Sequence, residues 1–144
     1  MRYLLFILLL SITLMVSSCS RHYVMPGDGE ALFMPVMPAE AMRLINEHPG
    51  LMVLDVRTGW ERDSGFIAGS VHISYFDFLF GSGYGRLDKG TPVLVVCAHG
   101  PRSYRVGRSL LGRGWREVYD LMGGMKAWTG EGYPVETKDS GGPP

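Results

Sequence analysis

One stretch constrains this chain more than any other: Val93-Leu94-Val95-Val96-Cys97 runs straight into Ala98-His99-Gly100-Pro101-Arg102-Ser103 and then a helical pattern to Leu111. A strand that is apolar at every position has no solvent face. It must be buried on both sides, as the central strands of parallel sheets are. Such a strand requires neighbours on either edge and helices over both faces. The rest of the chain provides them. Leu51 to Val56 is a second short apolar run, Val71 to Ser74 a third strand and Glu117 to Leu121 a fourth. Pro38 suits the first turn of a helix that carries Met42 and Ile45 inward and is stopped by Pro49-Gly50. Ser103 to Leu111, closed by Gly112 and Gly114, and Gly124 to Thr129 read as two further helices. The alternation predicts an α/β, three-layer domain with a mainly parallel sheet of four to five strands and helices on both faces. Ligands in such sheets sit at the carboxyl ends of strands. Two polar clusters fall there: Asp55 with Arg57, and the segment after Val96.

The chain of 144 residues has room for one such domain once its ends are set aside. Arg2 precedes an almost wholly apolar run from Tyr3 to Met15, and Val16-Ser17-Ser18-Cys19 follows. A short apolar run ending in small residues reads as an export signal. Its last four residues resemble a bacterial lipobox, which implies a lipoprotein signal peptide over 1–18 and lipid on Cys19. An uncleaved anchor is the other reading, although spanning a bilayer usually takes about 20 apolar residues. Ser20 after the lipid-bearing cysteine resembles outer-membrane sorting in Gram-negative bacteria. Both readings place the protein on a membrane and outside the cytoplasm, on the periplasmic side. Residues 19–34 read as a polar, Gly-containing linker, 35–136 as the domain and 137–144 as a disordered Gly/Pro tail. Without Arg2 the basic residues are one fewer than the acidic ones, which argues against nucleic acid as a partner.

Only two cysteines are present, Cys19 and Cys97. With lipid on Cys19, Cys97 is a lone thiol in a compartment that favours disulfides. A free cysteine is most often buried and inert, but the sequence around this one points to chemistry. It lies between a strand end and a helix start, where backbone N–H groups are unpaired and the helix dipole favours an anion. Arg102 adds a positive charge. These effects favour thiolate over thiol, the form that attacks. The same cradle would hold an oxyanion beside the sulfur, and Gly100 lets the loop close tightly around it. No two histidines have metal-ligand spacing, so neither metal nor cofactor is expected.

Cys97-x-x-Gly100-x-Arg102-Ser103 after an apolar strand resembles the active-site loop of the rhodanese family. Leu54-Asp55-Val56-Arg57, Glu61 and Gly65-Phe66-Ile67-Ala68-Gly69-Ser70 are similar to its first signature. Leu121 to Trp128 with Gly132-Tyr133-Pro134-Val135 is similar to its last. The resemblance spans about residues 35 to 136 and implies a sulfurtransferase. Cys97 would take a sulfane sulfur from a small anion such as thiosulfate, become a persulfide, and pass the sulfur to a thiol, cyanide or a partner protein. Ala98, His99, Gly100, Arg102 and Ser103 would bind the donor. Asp55 and Arg57 would fix strand and loop through ion pairs. Phe66 stands where the family usually has His, and Ser70 where it has a small apolar residue; altered packing is expected there. Pro101 has no N–H, so the cradle would lose up to one donor.

Two other readings stand beside this one. Tyrosine and dual-specificity phosphatases also use a Cys–Arg loop, but with one residue more between Cys and Arg than the four present here. A binding or interaction module without turnover is the second, favoured by Pro101 and an oxidising location and opposed by the retained Cys97 and Arg102. Trp128 reads as core, Trp60 as packing rather than pocket wall, and His72 as a strand residue. Tyr75, Phe76, Phe78, Phe80 and Tyr84 read mainly as core and loop packing. Arg105 and Arg108 read as solvated.

Overall fold

The structure is a computed structural model that describes residues 31–81 and 83–138. The stretch expected to be a signal peptide, the expected lipid site Cys19 and the tail beyond Lys138 lie outside the described residues. Five strands form one sheet: β1 Leu32–Val36, β2 Met52–Asp55, β3 Val71–His72, β4 Val93–Val96 and β5 Glu117–Leu121. Their order is β1-β5-β4-β2-β3, and every neighbouring pair is parallel. The apolar run is the middle strand, buried at all of Val93 to Val96.

The helices are α1 Pro38–Glu47, α2 Gly59–Asp63, α3 Tyr75–Leu79, α4 Pro101–Gly112 and α5 Gly124–Gly130, with a 3-10 turn at Tyr84–Arg86. Side chains alternate across β4, so one strand feeds two cores. Leu94 and Val96 pack with Ala41 and Leu44 of α1 and Met125 and Trp128 of α5. Val93, Val95 and Cys97 pack on the other face with Phe78 of α3 and Val106 and Leu110 of α4. Trp128 is core as expected, 1% exposed, with its indole N–H donating to the Pro134 carbonyl at 2.9 Å.

Strand β1 corrects the linker reading of residues 19–34: Leu32 to Met34 pair with Glu117 to Tyr119 of β5. The run Leu32-Phe33-Met34-Pro35-Val36 contains a proline, which a central strand excludes but an edge strand tolerates. β1 is such an edge. Leu32 and Met34 pack onto one core and Phe33 onto the other. The segments between β2 and β4 also hold two short helices, α2 and α3, that strand periodicity does not reveal. In α3 the helical spacing turns Tyr75 and Phe78 inward and leaves Phe76 and Phe80 exposed, so the aromatic stretch is only partly core.

Candidate functional site

Both polar clusters foreseen at strand ends lie at the carboxyl end of the sheet, and α2 connects them. Asp55, 1% exposed, ends β2 and is the hub of the first. One carboxylate oxygen accepts from the Arg57 backbone N–H and Nε, both at 3.0 Å. The other accepts from Arg57 Nη2 at 2.6 Å and Arg62 Nη1 at 3.1 Å. Arg57, 3% exposed, also donates to the Glu61 and Gly65 carbonyls. His72 Nε2 lies 2.7 Å from the Arg57 carbonyl oxygen, which fixes the chain at β3. This network clamps the β2–α2 turn to the sheet.

The two departures from the family signature meet at one residue. The Arg62 guanidinium lies 4.0 Å from the Phe66 ring centroid and donates to the Ser70 hydroxyl at 2.8 Å and the Ser70 carbonyl at 3.0 Å. An arginine over an aromatic face is attracted by the ring's quadrupole. Phe66 and Ser70 therefore hold the second arginine of the Asp55 hub.

The second cluster is the loop after β4. Cys97, a free thiol and 1% exposed, receives the Gly100 N–H at 3.0 Å and lies 3.4 Å from the Ser103 hydroxyl. Gly100 reaches back to the sulfur because its φ of +113° is open to glycine and closed to other residues. Pro101 takes the first position of α4, where an N–H has no intrahelical acceptor in any case. From below, α5 docks on the loop: Met125 N–H donates to the Cys97 carbonyl at 2.8 Å and Lys126 N–H to the Ala98 carbonyl at 3.0 Å. This approach requires Gly124. A Cβ there would overlap the Cys97 carbonyl oxygen and stand 2.7 Å from the Ala98 carbonyl carbon and the His99 nitrogen.

Arg102 is tied to the first cluster. Its two terminal nitrogens lie 2.9 and 2.5 Å from the two oxygens of Glu61, 41 residues earlier in the chain. The Arg102 guanidinium, with bonds from the Thr58 N–H and hydroxyl, holds the Glu61 carboxyl down at about 2, against the opposing effect of burial. Arg102 is in turn raised, first by Glu61 and to a lesser extent by the Cys97 sulfur. The cation expected to serve the cradle thus spends most of its charge on Glu61. Glu61 itself closes a capping box on Thr58 that starts α2.

A mouth of about 410 Å³ opens over the loop, between Arg57, Trp60, Glu61, Ser64 and Gly65 on one side and Met125, Lys126 and Thr129 on the other, with Ala98 and His99. Trp60, 76% exposed, lines this mouth and is not a packing residue. Sequence reasoning also passed over Lys126, and no local signal marks it. Among the described residues, no three His, Cys, Asp or Glu side chains cluster to hold a metal ion.

Beneath the loop, on the α4 side of the sheet, Asp120 of β5 is 4% exposed and its Oδ1 has no hydrogen-bond partner. Burial pushes its carboxyl up, only partly offset by the Ser103 hydroxyl. A raised carboxyl holds its proton more tightly folded than unfolded, so its contribution declines as pH rises from the unfolded value through the folded one. Asp120→Asn removes that decline. Denaturant unfolding at a series of pH values should show Asp120→Asn gaining stability over the parent as pH rises toward 8, with the gap closing toward pH 3. A gap independent of pH would mean the carboxylate is stabilised by something other than its proton.

A cysteine on a strand–loop–helix cradle, at the carboxyl end of a five-stranded parallel sheet, defines an α/β cysteine-loop transfer domain. Comparison with known proteins narrows the class. Residues 37–131 match the model of the rhodanese-like domain, and the chain belongs to that family. It is 35% identical over 108 residues to the thiosulfate sulfurtransferase GlpE of Pseudomonas putida (strain GB-1), covering 73% of this chain and 92% of that one. The thiosulfate sulfurtransferase GlpE of Coxiella burnetii (strain RSA 331 / Henzerling II) is 32% identical over 97 residues, 67% of this chain and 88% of its own. Among solved structures, a rhodanese-related protein from Thermoplasma volcanium superposes with a TM-score of 0.65 at 30% identity, over 73% of this chain and 99% of that one. These likenesses support a sulfurtransferase type of function.

Proposed function

We propose that this domain moves a sulfane sulfur from a small anionic donor to a nucleophilic acceptor through a persulfide on Cys97. The Cys97 thiol gives its proton to solvent, and the thiolate attacks the outer sulfur of thiosulfate. The sulfur–sulfur bond of thiosulfate breaks, and sulfite leaves with the electron pair. A thiolate or cyanide then attacks the outer sulfur of the persulfide, and Cys97 leaves as thiolate. The observation that carries this reading is the Gly100 N–H on the Cys97 sulfur, at the strand end whose next two residues, Ala98 and His99, line the mouth. A residue 1% exposed admits a terminal sulfur more readily than a bulky electrophile. Intact-mass spectrometry tests it: the protein should gain one sulfur atom from thiosulfate and lose it to cyanide. No gain with Cys97 free and reduced would turn the reading toward a binding module.

The same proposal places the domain on a membrane by a lipid on Cys19, exported to the periplasmic side. The support is the sequence alone, Arg2 and the apolar run into Val16-Ser17-Ser18-Cys19. Among the described residues no helix is long and apolar enough to cross a membrane. Cys19→Ala should abolish incorporation of labelled fatty acid and release the protein from the membrane fraction. Labelling that survives the change would refute the anchor.

A further inference from the structure

Three charged side chains line the mouth: Arg57, Glu61 and Lys126. Two are already paired. Arg57 is held by Asp55 and Glu61 by Arg102, with contacts of 2.6 and 2.5 Å. Lys126 is exposed and, among the described residues, has no ion-pair partner. Its backbone is fixed to the loop, since its N–H donates to the carbonyl of Ala98, the residue after the nucleophile. The neighbouring hydroxyls are also committed: Ser64 to the Glu61 carbonyl and Thr129 to the Met125 carbonyl, at 2.7 and 2.8 Å.

From this arrangement we infer that Lys126 is the specificity-determining residue for the donor: its ammonium receives the charged end of a small anion whose sulfane sulfur points to Cys97. The inference rests on the sulfurtransferase reading and deepens it. A point charge on a flexible stem suits a freely rotating sulfonate, whereas Arg102 is locked in a two-point grip on Glu61. The anion gathered there is also the leaving group. As the Cys97–sulfur bond forms and the donor's sulfur–sulfur bond breaks, negative charge accumulates on the departing sulfite beside Lys126. In the unloading half the acceptor thiolate attacks the outer sulfur and the leaving group is the Cys97 thiolate itself, so no sulfonate is held or released beside Lys126. Lys126 therefore acts on the loading half of the cycle and not on the unloading half.

The two halves can be measured separately on the purified protein, by rapid-quench mass spectrometry of persulfide formed from thiosulfate and of its discharge to 2-mercaptoethanol. Lys126→Ala and Lys126→Gln should each lower the second-order loading constant about two- to fivefold, the scale of an exposed charge pair. The loss should appear as weaker saturation by thiosulfate, and discharge should keep its rate. Lys126→Arg should restore most of the loss. Added salt should slow loading of the parent and leave Lys126→Ala nearly insensitive, because screening acts only on a charge that is present. Equal loading by the parent and Lys126→Ala overturns the inference while leaving the sulfurtransferase reading intact. So does an equal loss in both halves, which would mark a structural role. A parent protein that gains no sulfur from thiosulfate overturns both.

Discussion

Cys97→Ser should form no persulfide at any thiosulfate concentration, with sulfur transfer falling to the uncatalysed background. The reason is specific to the atom. A serine hydroxyl can accept the Gly100 N–H that Cys97 accepts at 3.0 Å, and can face Ser103 as the thiol does. It cannot become the thiolate that attacks a sulfane sulfur, and an oxygen–sulfur link would not carry the sulfur onward. Removing the nucleophile of other enzymes costs on the order of 10⁶ in turnover. Stability is a different matter. The change replaces one small buried group with a near-isostere, so unfolding should shift by about 1 kcal/mol or less. Persulfide detected on Cys97→Ser, or transfer that survives it, would place the nucleophile elsewhere. A variant that failed to fold would show in the far-ultraviolet circular dichroism before any assay.

The largest effect on stability is expected at Asp55. It sits 1% exposed beneath two arginines, and Arg57 is itself 3% exposed. Asp55→Ala leaves the Arg57 guanidinium buried without its counter-charge and removes the second anchor of Arg62. Breaking one side of a buried pair costs about 3–5 kcal/mol. A domain of this size has only about 5–15 kcal/mol in all. The variant should therefore unfold at a much lower denaturant concentration. Sulfur loading should fall as well, because α2 carries Glu61 and Glu61 holds Arg102. The companion variant Asp55→Ala with Arg57→Met should recover part of the loss, since it removes the stranded charge. A cost below about 1 kcal/mol for Asp55→Ala would mean that water reaches the Arg57 head in solution.

The central strand was legible because β4 is apolar at every position and only burial on two faces permits that. The helices α1, α4 and α5 announced themselves through Pro38 and the glycines that bound them, although α4 begins at Pro101 and not at Ser103 as its periodicity suggests. β1 did not, because Pro35 breaks an apolar run that directly follows a Gly-containing segment, and only at a sheet edge is that proline tolerated. Trp60 was misread for a related reason. A tryptophan in a short segment resembles core until the fold shows that the segment is a one-turn helix at the rim of a mouth.

The site divides along the same line. Everything that marks Cys97 as the proposed nucleophile lies within seven consecutive residues, Cys97 to Ser103, and the geometry of a strand end meeting a helix start follows from that order. The role of Asp55 and Arg57 was also local, two residues apart on one turn. What the chain order does not contain is which charge meets which. Arg102 read as the cradle's cation, and only the docking of α2 against α4 gave it to Glu61. Lys126 has no local mark at all; it matters because Gly124 lets α5 press onto the loop. Covalent neighbours and periodicity single out the candidate reactive atom. Electrostatic partners are chosen by distance in space, and that distance exists only once the sheet and its helices have closed.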